Sequence, residues 1–193
     1  MANVLSEPSL HDVAPMDTQV HVERTTQPVS DLALELKAAA EADPTDPEKW
    51  IKYGRALRRQ SMHREAIDAY SMGISYSPFY PLLYRHKAHA YINTGRYAEA
   101  AADFAFAIRL DPTNVDCWYH LALSYFLLQD YERAEKIYKV CYTMSDEDLD
   151  VISCTDWLWM TLRRLGKKEE AARLLAKASP AAKNAALTRL AAL

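Results

Sequence analysis

After residue 30, large apolar, small and polar positions follow one another in a pattern that returns at one fixed interval. Trp50, Tyr84 and Trp118 are spaced by that interval, as are Tyr70, Phe104 and Tyr138. Small residues keep it too, in two registers: Gly54, Ala88 and Ala122, then Ala66, Ala100 and Ala134. Pro44, Pro78 and Pro112 form the fifth. Each register has a physical reading. Two helices approach closely only where side chains are small, so the paired small residues set the crossing of a helical hairpin. The large aromatics at 50, 84 and 118 fill the space between one hairpin and the one before it. Proline ends the second helix by removing an amide donor. Asp-Pro-Thr at 43–45 and 111–113 supplies turns between units.

The pattern predicts one helix over 31–43, the trailing half of a unit spanning 31–46, with Leu32, Leu36 and Ala39 as its packing residues. Three hairpins follow at 47–80, 81–114 and 115–148. A fourth, at 149–178, is displaced, because Ala171 falls three positions late relative to Ala134. The acidic residues Asp146, Glu147, Asp148 and Asp150 are expected to absorb the extra length, and Trp159 stands where a small residue belongs. Ser179-Pro180 reads as an N-cap and first turn, with Leu187 and Leu190 giving a capping helix over 179–193 one apolar edge. The fold class is therefore all-α, a solenoid of helical hairpins with an N-terminal half-unit and a C-terminal capping helix.

The repeat interval, about 34 residues, and the residues that carry it resemble the tetratricopeptide repeat (TPR) family. The likeness covers the chain from the first helix to the end of the fourth hairpin. The strings at 84–89, 118–122 and 155–166 are similar to a group of stand-alone members of that family. The resemblance implies a right-handed superhelix whose first helices line a concave groove, used for binding proteins or peptides.

Composition narrows the function. Only four glycines are present among 193 residues, which argues against phosphate-cradling loops. The net charge of −3 gives nucleic-acid binding no electrostatic support. Glu7, Asp12, Asp17 and Glu23 face Arg24 alone in residues 1–30, so this proline-interrupted stretch reads as a disordered acidic tail. It has no basic start and no long apolar run, so a cytoplasmic address and no membrane partner are expected. The three cysteines are spaced too widely for a metal motif or a disulfide framework, and are expected to pack as small apolar residues.

By the family's pattern the groove residues are Lys52, Arg55, Arg58 and Arg59, then Arg85, His86, His89 and Asn93, then Tyr119, His120, Leu123 and Phe126. One end is basic and the other aromatic and aliphatic. Such a surface suits a peptide with acidic residues beside apolar anchors, because arginine grips carboxylates bidentately. The family's chaperone-tail carboxylate clamp is not matched: its positions hold Ile51, Arg55, His86, Asp116 and His120. The alternative is a small-molecule or catalytic site built from His86, His89, His120, Arg85 and Asp156. No catalytic motif supports it. A metal is not expected, since equivalent positions of stacked repeats lie roughly 10 Å apart and no carboxylate is obviously placed to complete a shell. No cofactor is expected, and the oligomeric state is left open. The tail offers a third reading, in which residues 1–30 occupy the basic groove of the same or a neighbouring chain.

Overall fold

The computed structural model describes residues 27–144 and 148–178. Most of the expected acidic tail and the whole expected capping helix lie outside the described residues. The elements are α1 (Asp31–Ala42), α2 (Pro47–Arg59), α3 (His63–Tyr76), α4 (Pro81–Asn93), α5 (Tyr97–Leu110), α6 (Val115–Leu127), α7 (Tyr131–Met144), α8 (Asp148–Arg164) and α9 (Lys168–Lys177). There is no strand among the described residues. Each helix packs on its sequence neighbours, and α2, α4, α6 and α8 meet in turn across one face. This is an all-α solenoid of stacked hairpins. No helix among the described residues is long and apolar enough to cross a membrane.

Every hairpin turns by the same backbone device. The residue after the first helix's C-cap is left-handed: Ser61, Gly95, Gln129 and Gly166, with φ between 59° and 72°. Its amide and the next one bond back to the helix in the two-bond Schellman pattern. Ser61 donates to the Arg58 carbonyl and Met62 to that of Leu57; Gly95 and Arg96, Gln129 and Asp130, and Gly166 and Lys167 repeat the pair at 2.9–3.1 Å. Helix starts are fixed by side chains where the turns between units end. Asp46 accepts from the Glu48 amide ahead of Pro47, and Asn114 accepts from that of Cys117.

Within hairpins, small residues meet rings. Tyr70, Phe104 and Tyr138 are fully buried, with Gly54, Ala88 and Ala122 buried on the facing helices. A Cβ at Gly54 would lie 2.3–2.8 Å from three ring atoms of Tyr70. Between units, the aromatics do more than fill space. Trp50 Nε1 donates to the Pro44 carbonyl at 3.0 Å, Tyr84 Oη to that of Pro78 at 2.8 Å, and Trp118 Nε1 to that of Pro112 at 2.9 Å. The two registers therefore act as one joint, in which each proline leaves its carbonyl for a polar ring six residues on.

Four expectations need correction. In α1 Leu36 packs against the core as expected, but Leu32 is 56% exposed and Ala39 is exposed, and the buried residues are Ala33 and Ala40 in their place. The acidic linker does not absorb the three extra residues. They lie inside α8, which has 17 residues against 13 in α2, α4 and α6, and Asp148 and Asp150 belong to that helix. Trp159 is accommodated in the core at 5% exposure. Finally, two of the cysteines do meet: Cys141 and Cys154 are joined as a disulfide between α7 and α8, with Cα atoms 6.4 Å apart. They are thirteen positions apart in sequence, and the packing of α8 against α7 brings them together. Glu135 braces the same region, its buried carboxylate 2.6 Å from both Lys139 and Lys167.

Two outcomes follow for stability. Gly54→Ala gains about 1 kcal/mol of helix propensity but forces a methyl into the Tyr70 ring, an overpacking cost of about 1–3 kcal/mol, so thermal unfolding should show a net loss. Ser61→Gly and Gln129→Gly remove a Cβ from a left-handed residue, and each should raise stability by about 0.5–1 kcal/mol in the same measurement.

Candidate functional site

The face formed by α2, α4, α6 and α8 carries the predicted groove residues, and the structure divides them into three groups. Lys52, Arg55 and Arg59 are exposed on α2. Among the described residues none of the three has a carboxylate partner. Arg58 turns inward, toward the Tyr70 hydroxyl, and its Nε is buried without a hydrogen-bond acceptor among the described residues.

The second group is a hydrogen-bonded cluster between α4 and α6. Asp116, in the first turn of α6, receives Arg85 Nε on Oδ2 at 2.5 Å and His89 Nε2 on the same oxygen at 3.2 Å. His120 Nδ1 lies 3.2 Å from Oδ1 and 2.9 Å from the Asp116 carbonyl. Both imidazole nitrogens face only acceptors there, so each carries its proton and donates. The rings of His89 and His120 meet edge to face with centroids 4.1 Å apart, and Phe104 contacts both. Burial works to raise the Asp116 pKa, but hydrogen bonds from His120, His89 and Arg85 outweigh it and hold the carboxyl well below the usual range. Burial lowers the His89 pKa despite the Asp116 contact.

His86 is separate. It stacks on Tyr70 at 5.8 Å, its Nδ1 is buried without a partner among the described residues, and burial followed by the charges of Arg85, His89, Arg58 and Arg55 pushes its pKa down to about 3. At neutral pH it is an uncharged ring.

The third group is apolar. Tyr119, Leu123 and Phe126 are half-buried on α6. Tyr119 packs on Tyr138, and Phe126 on Tyr131 and Trp157. Asn93 is exposed at the end of α4. Asp156 is buried on α8, outside the histidine cluster.

The wide spacing expected of equivalent positions concerns His86 and His120, and His86 stays outside the cluster; the correction is that the non-equivalent His89 reaches His120 and that a carboxylate, Asp116, stands with them. His89, Asp116 and His120 offer atoms within 4.8 Å of one another. His120 follows His89 at three positions short of the full repeat interval, and that offset cancels the stagger between units. Asp116, a mismatch by the clamp's pattern, is the residue that joins them. Its signal in the sequence is the same offset: an acid three positions short of one interval after Arg85. The three could ligate a metal ion, yet the Arg85 guanidinium already sits on Asp116 and opposes a second cation there. Cys117, beside them, is buried and its thiol is pushed up to about 12 by burial and then by the Asp116 charge, so it is not a nucleophile at neutral pH.

The fold and this face define a helical-repeat scaffold with a cationic rank, a neutralised polar cluster and an apolar rank. Residues 86–148 match the family model of the tetratricopeptide repeat. The heat-shock protein cognate (HSC) co-chaperone sgt12 of Aspergillus fumigatus is 31% identical over 107 residues, covering 55% of this chain and 31% of that protein. The chain thus spans under a third of that relative's length. MamA superposes with a TM-score of 0.70 at 17% identity, over 82% of this chain and 88% of that one. The first TPR of Spaghetti (RPAP3), solved with the HSP90 peptide SRMEEVD, gives 0.55 at 24% identity, over 76% and 98%. These two likenesses show the fold. Residues 86–148 are thus of the tetratricopeptide-repeat family, and the described helices have the fold of a tetratricopeptide-repeat solenoid.

The low pKa of His86 sets a pH dependence. Below about pH 6.5, its ordinary value, the unfolded chain takes up a proton that folded His86 refuses down to about 3. The unfolded state then binds more protons, so this site removes stability as pH falls. His86→Phe keeps a ring against Tyr70 and cannot titrate. Denaturant unfolding at pH 7 and pH 4.5 should show its acid loss smaller than the wild type's by about 1–2 kcal/mol.

Proposed function

We infer that this chain is a protein-interaction module that holds a peptide segment, acidic residues beside apolar ones, along the inner face. One observation carries the reading. Lys52, Arg55 and Arg59 form a rank on α2 without carboxylate partners among the described residues, and across α4 the same face continues to the half-buried Tyr119, Leu123 and Phe126 of α6. Three long cationic side chains on one exposed helix face are available to a ligand's carboxylates. The co-chaperone relative and the peptide-bound TPR neighbour support a binding role, and that neighbour's peptide is acidic at Glu-Glu-Val-Asp. The registers of the family's carboxylate clamp differ here. Ile51 is buried, and Asp116 is neutralised by its own chain. The peptide is therefore held by a different set of residues, with the basic contacts concentrated on α2.

Arg85, grouped by its register with the groove cations, is committed to Asp116. Its removal would disturb packing between units, so it is a poor probe of binding. A second reading, a small molecule held or turned over at the histidines, draws on the closeness of His89, Asp116 and His120. The saturation of Asp116 by three donors favours the peptide reading over it.

The test is a fluorescent peptide panel with acidic-plus-apolar, basic-plus-apolar and neutral members. Acidic-plus-apolar peptides should bind best, and Arg55→Ala/Arg59→Ala should weaken them about tenfold or more, with a steep loss in added salt. Equal affinity of the double variant would overturn the reading.

A further inference from the structure

The cation rank of α2 ends beside the place where the chain enters the fold. Ser30, the N-cap of α1, donates its amide to Gln60 Oε1 at 3.0 Å, and Gln60 is the C-cap of α2, next to Arg59. Gln60 is itself held, its Nε2 donating to the Ala56 carbonyl at 3.2 Å. Val29 packs against the core that α1, α2 and α3 share. Residues 29 and 30 are thus pinned at the C-terminal end of α2. From that end Arg59, Arg55 and Lys52 step back by four and then three positions, which makes one stripe along the helix. At 1.5 Å per residue the stripe is about 10 Å long. It is exposed and has no carboxylate partner among the described residues.

Residues 1–26, which precede this anchor, carry the complementary chemistry. Glu7, Asp12, Asp17 and Glu23 stand against Arg24, a net charge of −3. Each acid has an apolar neighbour within two positions, in order Leu5, Val13, Met16 and Val22. Acidic residues beside apolar ones are the class of ligand that the inner face suits, and here they belong to the same chain. Reach is no obstacle. Glu23 is seven positions from Ser30 and Asp12 is eighteen, which at about 3.3 Å per extended residue allows roughly 20 and 60 Å.

We propose that residues 1–26 are an internal ligand of the inner face: they lie along Lys52, Arg55 and Arg59 of their own chain, and an outside peptide must displace them. The proposal rests on the inner-face reading and adds a competitor built into the chain. A segment tied beside its site acts at roughly millimolar effective concentration, so contacts too weak to hold a free peptide still occupy it. Exposed ion pairs are contacts of that kind, individually weak and screened by salt. The segment thereby excludes weak acidic ligands and yields only to a stronger one.

The test places a nitroxide at Ala14→Cys in the full chain and reads ¹⁵N amide broadening with no peptide added. Cys117 is buried and Cys141 is joined to Cys154, so the label goes to the introduced thiol. Broadening should centre on Lys52, Arg55 and Arg59, persist on tenfold dilution, and vanish in Glu7→Gln/Asp12→Asn/Asp17→Asn/Glu23→Gln. That fourfold variant, with Ala14 retained and its amide spectrum as the control for folding, should bind the acidic-plus-apolar peptides about fivefold or more tightly than wild type. Broadening that is absent, that centres elsewhere or that survives the fourfold variant would overturn the proposal, as would unchanged peptide affinity. Broadening passed from a labelled chain to an unlabelled ¹⁵N chain would make a second copy the occupant and overturn it too. Absent broadening while acidic peptides bind removes the internal ligand alone; a fourfold variant that binds no acidic peptide removes the inner-face reading with it.

Discussion

The close approach of two helices at a small residue and a ring governs everything else in this molecule. Gly54 lies under Tyr70 with no room for a methyl, and Ala88 and Ala122 hold the same register. That contact fixes how each hairpin crosses, and the crossing fixes where its first helix presents its side chains. Because the units repeat the crossing, α2, α4, α6 and α8 arrive side by side. Their ranks of side chains then meet residues of neighbouring units at a constant stagger. The Asp116 cluster is a product of that stagger. It joins His89 and Arg85 to an acid whose separations from them, 27 and 31, fall short of the period.

The inner face shows how charge is sorted once such ranks exist. Arg85 and Asp116 neutralise each other in a half-buried position, and the His89 imidazole, its pKa lowered by burial, stays uncharged beside them. Several polar groups that look like a reactive centre in the sequence thus become a brace between α4 and α6. The cations of α2 have no such counterparts among the described residues, and they are the part of the face with charge to offer. The difference lies in burial: Arg85 sits where an unpaired guanidinium would be costly, while Lys52, Arg55 and Arg59 are solvated.

Whatever depends on residue size at a fixed interval is legible in the sequence. The rings at 70, 104 and 138, the small residues facing them and the prolines between units all announce themselves in that way. Features set by backbone shape or by stagger do not. Two of the four left-handed turn residues, Ser61 and Gln129, are not glycine, so their register is silent until the chain is folded. Of the residues expected to pack from α1 only Leu36 meets the core, because a lone helix gives no second period to align the others. The lengthening of α8 escapes notice because the spacing between alanines cannot say which element holds the surplus. Cys141 and Cys154 look distant for the same reason that Arg85 and Asp116 do, since sequence separation says little about two consecutive packed helices or about neighbouring ranks.

α2 lies between two surfaces of different character, an arginine and lysine rank on one side and the Trp50 and Tyr53 rings on the other. A helix with its side chains is about 10–12 Å across. One helix thickness is thus the scale on which this fold sets two different surfaces side by side.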